Sequence, residues 1–194
     1  KSAYDDNLAN DLEIKESDFV VISVANLVPL KGIEDLITAF NRLKLDNAKL
    51  LIVGNNQNDY GQGLICNYEN ERIKFVGKQI DVRPFLKLAD LFCIPTLSIG
   101  EGMPLAPLEA MSMGIPVIGS KVSGITDILE GFEDWIFEAS NVDELSMLLY
   151  LAYKLPNSDL KEIGLRMREK VMDNYAYDKF LEKSELIYLE YAKI

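Results

Sequence analysis

Two glutamates in a loop rich in glycine and proline are the residues whose types and spacing best suit a polar ligand. Glu101 and Glu109 lie eight positions apart within residues 95–114. An ionised carboxylate only accepts hydrogen bonds, and its two oxygens can bind two adjacent hydroxyl groups, such as those of a sugar. The alternative for Glu109 alone is that it complements the dipole of its own helix, a gain of about 0.3–1 kcal/mol.

A lysine beside a glycine offers a cation for a negatively charged ligand. Lys31 precedes Gly32, the residue at which a helix is predicted to open. The backbone N–H groups at a helix N-terminus carry partial positive charge, and the lysine adds a full charge to them. The combination predicts an anion site, whereas a lysine in a turn that merely faces solvent is the alternative.

Several other kinds of site are excluded by composition and spacing. The sequence contains no histidine, which removes Ser-His and Cys-His nucleophiles and histidine-bound metals. A dinucleotide-binding G-x-G-x-x-G is absent after the first predicted strand, where Gly32 stands alone. Residues 119–126 have the glycine spacing of a P-loop, but Ile125 replaces the lysine that would reach the phosphates. The segment therefore argues only weakly for an NTPase.

Composition indicates a soluble domain of ordinary type. The 194 residues carry a net charge of -11, which argues against non-specific binding of nucleic acid. The longest apolar run, residues 145–153, is far shorter than a membrane-spanning helix. Cys66 and Cys93 are expected to be free thiols in a reducing compartment, which predicts a cytoplasmic location. Since the chain begins at Lys1 without a leader pattern, we expect it to be part of a longer protein.

The elements that must position these residues alternate between buried strands and helices. Strands are predicted over residues 19–25, 49–53, 73–76, 91–94, 117–118 and 135–137. Helices are predicted over residues 7–14, 33–43, 64–69, 82–88, 107–113, 142–155, 158–172 and 177–191. This alternation predicts an α/β fold, a doubly wound, Rossmann-like parallel sheet of about six strands followed by C-terminal helices. In such sheets ligands bind beyond the carboxyl ends of the strands, where both candidate loops lie.

The motifs, taken in order, resemble a known family. They are Leu-Val-Pro-Leu-Lys-Gly, Leu-Leu-Ile-Val-Gly, Lys-Phe-Val-Gly, Ala-Asp-Leu-Phe-Cys-Ile-Pro, Glu-Gly-Met-Pro-Leu-Ala-Pro-Leu-Glu-Ala-Met and Gly-Ile-Pro-Val-Ile. From residue 19 to its end, the chain resembles the C-terminal, donor-binding domain of retaining glycosyltransferases with the GT-B fold, the glycosyl transferases group 1. The resemblance implies a hexosyltransferase that uses a nucleotide diphosphate sugar as donor and needs no metal or other cofactor.

The resemblance also implies a role for each candidate residue. Glu109 would bind the ribose hydroxyls, Glu101 the transferred sugar, and Lys31 the departing diphosphate. Backbone amides near the second loop would hold the diphosphate or the sugar, at Gly102, Met103, Leu105 and Ala106. A segment after the third strand would lie against the base, at Gly77, Lys78, Gln79 and Ile80.

One position departs from the family pattern. Asn26 stands where the family usually has an arginine that shares the phosphate contact. A neutral hydrogen bond contributes about 1 kcal/mol, against about 1.5–3 kcal/mol for a charge-assisted one. Weaker donor binding is therefore expected, unless Arg83 or Lys78 supplies the missing cation.

The predicted organisation leaves the active site incomplete. Residues 1–18 are expected to be an entry linker, residues 19–175 the nucleotide-sugar-binding domain, and residues 176–194 a helix that crosses to an absent N-terminal acceptor domain. The expected partners are the nucleotide-sugar donor and that domain, with no nucleic acid; association with a membrane surface is left open. The alternatives are a relative with epimerase or phosphorylase chemistry and a non-catalytic interaction module.

Overall fold

A six-stranded parallel sheet forms the centre of the computed structural model, which describes residues 6–97 and 101–191. The strands are β1 Phe19–Val24, β2 Ala48–Val53, β3 Ile73–Gly77, β4 Leu91–Ile94, β5 Val117–Ser120 and β6 Ile136–Phe137. Their order, β3-β2-β1-β4-β5-β6, confirms the predicted doubly wound arrangement. Residues 1–5 of the predicted linker, 98–100 of the second loop and 192–194 of the predicted terminal segment lie outside the described residues.

Helices cover the sheet and extend the C-terminal end of the chain. They are α1 Asp6–Asp11, α2 Ile33–Arg42, α3 Asp59–Tyr68, α4 Arg83–Leu86, α5 Leu105–Ser112, α6 Ile125–Ile128, α7 Val142–Lys154, α8 Asn157–Asn174 and α9 Tyr177–Tyr191. Short 3₁₀ turns occur at Pro29–Lys31 and Glu133–Trp135. None of the helices within residues 6–97 and 101–191 is both long and apolar enough to cross a membrane.

The core has two layers because successive side chains of a strand point to opposite faces of the sheet. In β1, Val20 and Ile22 pack in a cluster with apolar residues of α4, α5, α6 and α8. Val21 packs in a second cluster, with α2, α3 and α7. A strand covered on both faces needs apolar residues at consecutive positions, which explains why β1 reads as a continuous apolar run.

Some predicted boundaries were wrong, for local reasons. Helix α3 begins at Asp59, five residues before the predicted helix 64–69, because the Asn58 side chain caps it by accepting a hydrogen bond from the Gly61 N–H at 2.7 Å. Helix α5 begins at Leu105, two residues before the prediction, so that Pro107 occupies its third position, where an N–H has no intrahelical acceptor anyway. The short helix α6 was not predicted, and Trp135 belongs to a 3₁₀ turn that precedes β6.

Candidate functional site

The reversal of strand order brings two loops together at the carboxyl edge of the sheet. Strand β1 lies between β2 and β4, and the chain leaves β1 toward β2 but leaves β4 toward β5. Connections that diverge in this way open a crevice between the loops that follow the two strands. Residues 25–32 form the first of these loops and carry Lys31, and residues 95–97 and 101–104 are the described parts of the second, which carries Glu101.

Direct backbone contact holds the two loops against each other. The Leu97 N–H donates a hydrogen bond to the Leu30 carbonyl at 2.9 Å. Gly32 has a φ of +65°, and a Cβ atom there would lie 1.9 Å from the Pro95 carbonyl oxygen. Any larger residue at position 32 would force the loops apart, so the glycine is required by this close approach.

Lys31 and Glu101, 70 residues apart in sequence, form an ion pair in this crevice. The lysine side chain is 29% exposed and that of the glutamate 16%. The Thr96 hydroxyl donates a second hydrogen bond to the same carboxylate oxygen, Oε1, at 2.8 Å. The structure thus brings together the two residues that the sequence analysis assigned to the anion and the sugar.

The backbone of Glu101 is held by a neighbouring loop that contains Ser123 and Gly124. This loop lies within residues 119–126, the segment that has the glycine spacing of a P-loop but lacks its lysine. The Glu101 N–H donates a hydrogen bond to the Ser123 carbonyl at 2.9 Å. Gly124 has a φ of +82°, and a Cβ atom there would lie 1.9 Å from the Glu101 carbonyl oxygen. This loop therefore fixes the position of the Glu101 backbone from the side of β5.

Two buried hydroxyl groups beneath the crevice were not predicted. Ser120, the last residue of β5, is fully buried, and Thr96, just after β4, is 3% exposed. The Ser120 hydroxyl donates a hydrogen bond to the Thr96 carbonyl at 2.6 Å. A polar residue at the end of an otherwise apolar strand is the sequence signal that could have drawn attention to them.

The start of α5 presents backbone donors toward solvent. Pro104 precedes the helix, and no side chain caps its first turn. The N–H groups of Leu105 and Ala106 have no intrahelical acceptor and lie at the positive end of the helix dipole. Gly102, Met103 and Leu105 are exposed and Ala106 is half-buried, so this predicted amide segment is accessible to a ligand.

Glu109 faces the other side of the site. It is exposed, and with Ile80 and Arg83 it lines a cavity of about 400 Å³. This cavity joins the predicted ribose-binding glutamate to the predicted base-binding segment, but Lys31 and Glu101 are not among its lining residues. The site therefore consists of two neighbouring parts, connected by residues 101–109.

The remaining residues of the predicted base-binding segment lie at the end of β3 and just after it. Gly77 and Gln79 are half-buried, and Lys78 is exposed. The Gln79 side chain is anchored by a hydrogen bond from its Nε2 to the Val76 carbonyl at 3.2 Å. The segment can thus offer its backbone groups to a ligand, as predicted for recognition of a base.

Arg83, one of the candidate replacements for the missing arginine, is paired with another residue of the site. Asn26 is exposed. Arg83 donates two hydrogen bonds to Asp81, at 2.8 and 2.7 Å. These bonds are the main reason why the pKa of Asp81 is lowered to about 2. The carboxylate therefore stays ionised and paired at neutral pH. Arg83 is therefore already engaged by Asp81, on the Glu109 side of the site.

A larger cavity, of about 450 Å³, lies at the opposite edge of the sheet. Asp90 and Pro116, which directly precede β4 and β5, are among its lining residues. Volume alone would select this cavity, whereas the parallel-sheet rule and the polar groups described above select the carboxyl edge.

Comparison with known proteins gives a consistent family match. Residues 5–170 match the family model of the glycosyl transferases group 1. The N-acetyl-alpha-D-glucosaminyl L-malate synthase of Bacillus anthracis is 30% identical over 191 residues, which cover 94% of this chain and 48% of that protein. The chain spans about half the length of the curated relatives it matches.

Solved structures share the fold. A glycosyltransferase from Rickettsia africae superposes with a TM-score of 0.84 at 19% identity, over 95% of this chain and 50% of that chain. Anabaena HepE, solved in complex with UDP-glucose, superposes with a TM-score of 0.80 at 21% identity, over 97% of this chain and 52% of that chain.

Proposed function

Because the chain belongs to the glycosyl transferases group 1 family, we propose that it is the donor-binding half of a retaining glycosyltransferase. In this role it holds a nucleotide diphosphate sugar, and a second domain binds the acceptor. The observation that carries the proposal is the Lys31–Glu101 pair at the switch point of the sheet. The likeness to HepE, solved with UDP-glucose, supports a nucleotide-sugar donor.

The site offers a separate group for each part of such a donor. The diphosphate lies between Lys31 and the first amides of α5, where positive charge is concentrated. Glu109 accepts hydrogen bonds from the ribose hydroxyls, next to a base that rests near Ile80. The diphosphate draws Lys31 away from Glu101, which leaves the Glu101 carboxylate to bind the sugar.

The chemical step transfers negative charge to the leaving diphosphate. An acceptor hydroxyl oxygen attacks the anomeric carbon from the face that the diphosphate leaves, and the diphosphate oxygen takes the hydroxyl proton as the bond to the sugar breaks. Attack on this face retains the anomeric configuration. Lys31 and the α5 amides stabilise the developing charge without a divalent metal, and this chain needs to supply no general base.

The second domain is also the proposed cover for an apolar surface. Residues of α9 expose large hydrophobic side chains, namely Tyr177, Leu181, Leu186, Ile187, Tyr188 and Leu189. A concentration of exposed apolar side chains on one helix is typical of a contact with another domain or protein. We propose that the acceptor domain packs there, that the chain alone binds donor without transferring sugar, and that the whole enzyme is cytoplasmic.

A titration tests the donor-binding proposal. We expect UDP, GDP or ADP to bind this chain weakly, with heat detected by calorimetry at up to millimolar concentration. Glu109→Gln should weaken binding about 10- to 100-fold, because it removes charge-assisted hydrogen bonds to ribose. Glu169→Gln makes the same chemical change at an exposed position of α8 and should leave the affinity unchanged. Absence of heat with all three nucleotides would contradict the proposal.

A non-catalytic donor-like module is the second candidate. Asn26 stands in place of the family arginine, and Arg83 is paired with Asp81, so neither of these positions offers the diphosphate a free cation beside Lys31. A module of this kind would tolerate the loss of Lys31 in the full-length protein, whereas an enzyme would not.

A further inference from the structure

Two buried hydroxyl groups connect the sheet to the carboxylate of Glu101. Ser120 ends β5, and Thr96 follows β4, the strand paired with β5. The Ser120 hydroxyl donates to the Thr96 carbonyl at 2.6 Å, and the Thr96 hydroxyl donates to Glu101 Oε1 at 2.8 Å. The two hydrogen bonds meet at Thr96, which accepts one at its backbone carbonyl and donates the other from its side chain to the crevice.

The direction of each bond follows from its acceptor. A carbonyl oxygen and an ionised carboxylate can only accept hydrogen bonds. The Ser120 hydroxyl proton must therefore point to the Thr96 carbonyl, and the Thr96 hydroxyl proton to Glu101 Oε1. Thr96 is nearly fully buried and is fixed by Ser120 at its own backbone. Its hydroxyl is thus a rigid donor aimed at one oxygen of Glu101.

Within the described residues, Lys31 and Thr96 both contact the Glu101 carboxylate, and both contacts use the same oxygen, Oε1. When a diphosphate takes Lys31 as its partner, the Thr96 bond remains to hold Oε1. The other oxygen, Oε2, is left to accept a hydroxyl of the transferred sugar. A glutamate side chain has several rotatable bonds, so without this anchor it would adopt other rotamers.

We propose that Thr96 is a positioning residue, which holds the Glu101 carboxylate in the orientation that binds the transferred sugar after Lys31 has turned to the diphosphate. The inference rests on the proposed function. Two different contacts then position Glu101. The Ser123–Gly124 loop fixes its backbone, and Thr96 fixes its side chain. Ser120 acts only through Thr96.

Thr96→Val tests this role, because valine keeps the shape of threonine and lacks the donor. In the full-length protein we expect kcat for sugar transfer to fall about 10- to 100-fold, the loss of a hydrogen bond to a charged group. Affinity for the nucleoside diphosphate without its sugar should stay unchanged, since that ligand does not use Glu101. Thr96→Ser should restore transfer, and Thr38→Val, at an exposed position of α2, should change nothing.

A double-mutant cycle separates positioning from general damage to the fold. In a Glu101→Ala background, Thr96→Val should have little further effect on kcat, because the side chain that Thr96 orients is gone. If valine disturbs the packing, Thr96→Ala removes the same donor. Independent, additive losses in the cycle would overturn the inference.

The remaining outcomes distinguish this inference from the proposed function. If Lys31→Ala impairs transfer and Thr96→Val does not, the Thr96 role is wrong and the proposed function stands. An equal fall in nucleoside diphosphate affinity and in kcat for Thr96→Val would likewise overturn the positioning role. If nucleotides do not bind and neither substitution affects transfer, the proposed function itself is wrong.

Discussion

Lys31→Ala in the full-length protein lowers the rate of sugar transfer about 10²- to 10³-fold, the loss expected when one preorganised donor to a developing negative charge is removed. The rate is measured with saturating donor and acceptor. Binding of the free nucleoside diphosphate weakens as well, because the ground-state diphosphate already uses the same cation. The large effect follows from the position of Lys31 in the crevice, where it is only 29% exposed.

A second lysine provides the control for this substitution. Lys121 forms an ion pair with Glu138 in the loop after β5, and both side chains are more than half exposed, at 59% and 57%. Lys121→Ala removes one positive charge and one lysine–glutamate pair, as Lys31→Ala does, yet an exposed pair contributes little. Equal transfer rates for the two variants would show that Lys31 has no special role and would favour the non-catalytic module.

Gly124→Ala reduces both the free energy of unfolding and the transfer activity. A Cβ atom at this position would lie 1.9 Å from the Glu101 carbonyl oxygen, so the loop that carries Glu101 must shift. Gly124 has a φ of 82° and a ψ of −42°, outside the left-handed helical region, and holding a residue with a side chain there costs about 1–3 kcal/mol. Forcing the two loops apart adds about 1–3 kcal/mol, as in other overpacked sites. Chemical denaturation measures the total.

Gly131→Ala isolates the contribution of the contact. Gly131 has a φ of +83°, almost the same as that of Gly124, but a Cβ atom there meets nothing within 4 Å. This variant should lose only the conformational part of the stability and keep its sugar transfer. If Gly124→Ala and Gly131→Ala behave alike, the close approach of Gly124 to Glu101 does not position the site.

The sheet could be predicted because its signal is local. A strand covered on both faces needs consecutive apolar residues, and β1 and β4 show such runs within a few positions of their observed bounds. The meeting of Lys31 and Glu101 followed from the same reasoning, since each lies in a loop after one of two adjacent strands. Neither inference required knowledge of a particular side-chain contact.

Other parts of the site depend on tertiary contacts that no local pattern encodes. Thr96 and Ser120 are small polar residues with nothing in their neighbours to indicate that one donates a hydrogen bond to the other. Gly124 looked like part of an imperfect phosphate loop, whereas its actual requirement is a close approach to a residue 23 positions earlier. The start of α3 was missed because glycines within 59–63 suggested a loop, and the capping Asn58 decided otherwise.

A structure of the chain soaked with a nucleotide diphosphate sugar shows directly whether the donor binds at the carboxyl edge of the sheet. We expect the diphosphate to lie within hydrogen-bond distance of Lys31 Nζ and of the first amides of α5, while Glu109 accepts hydrogen bonds from the ribose. A nucleotide bound instead at the opposite edge of the sheet, in the cavity beside Asp90, would contradict this expectation. So would a nucleotide at the carboxyl edge that contacts neither Lys31 nor Glu109.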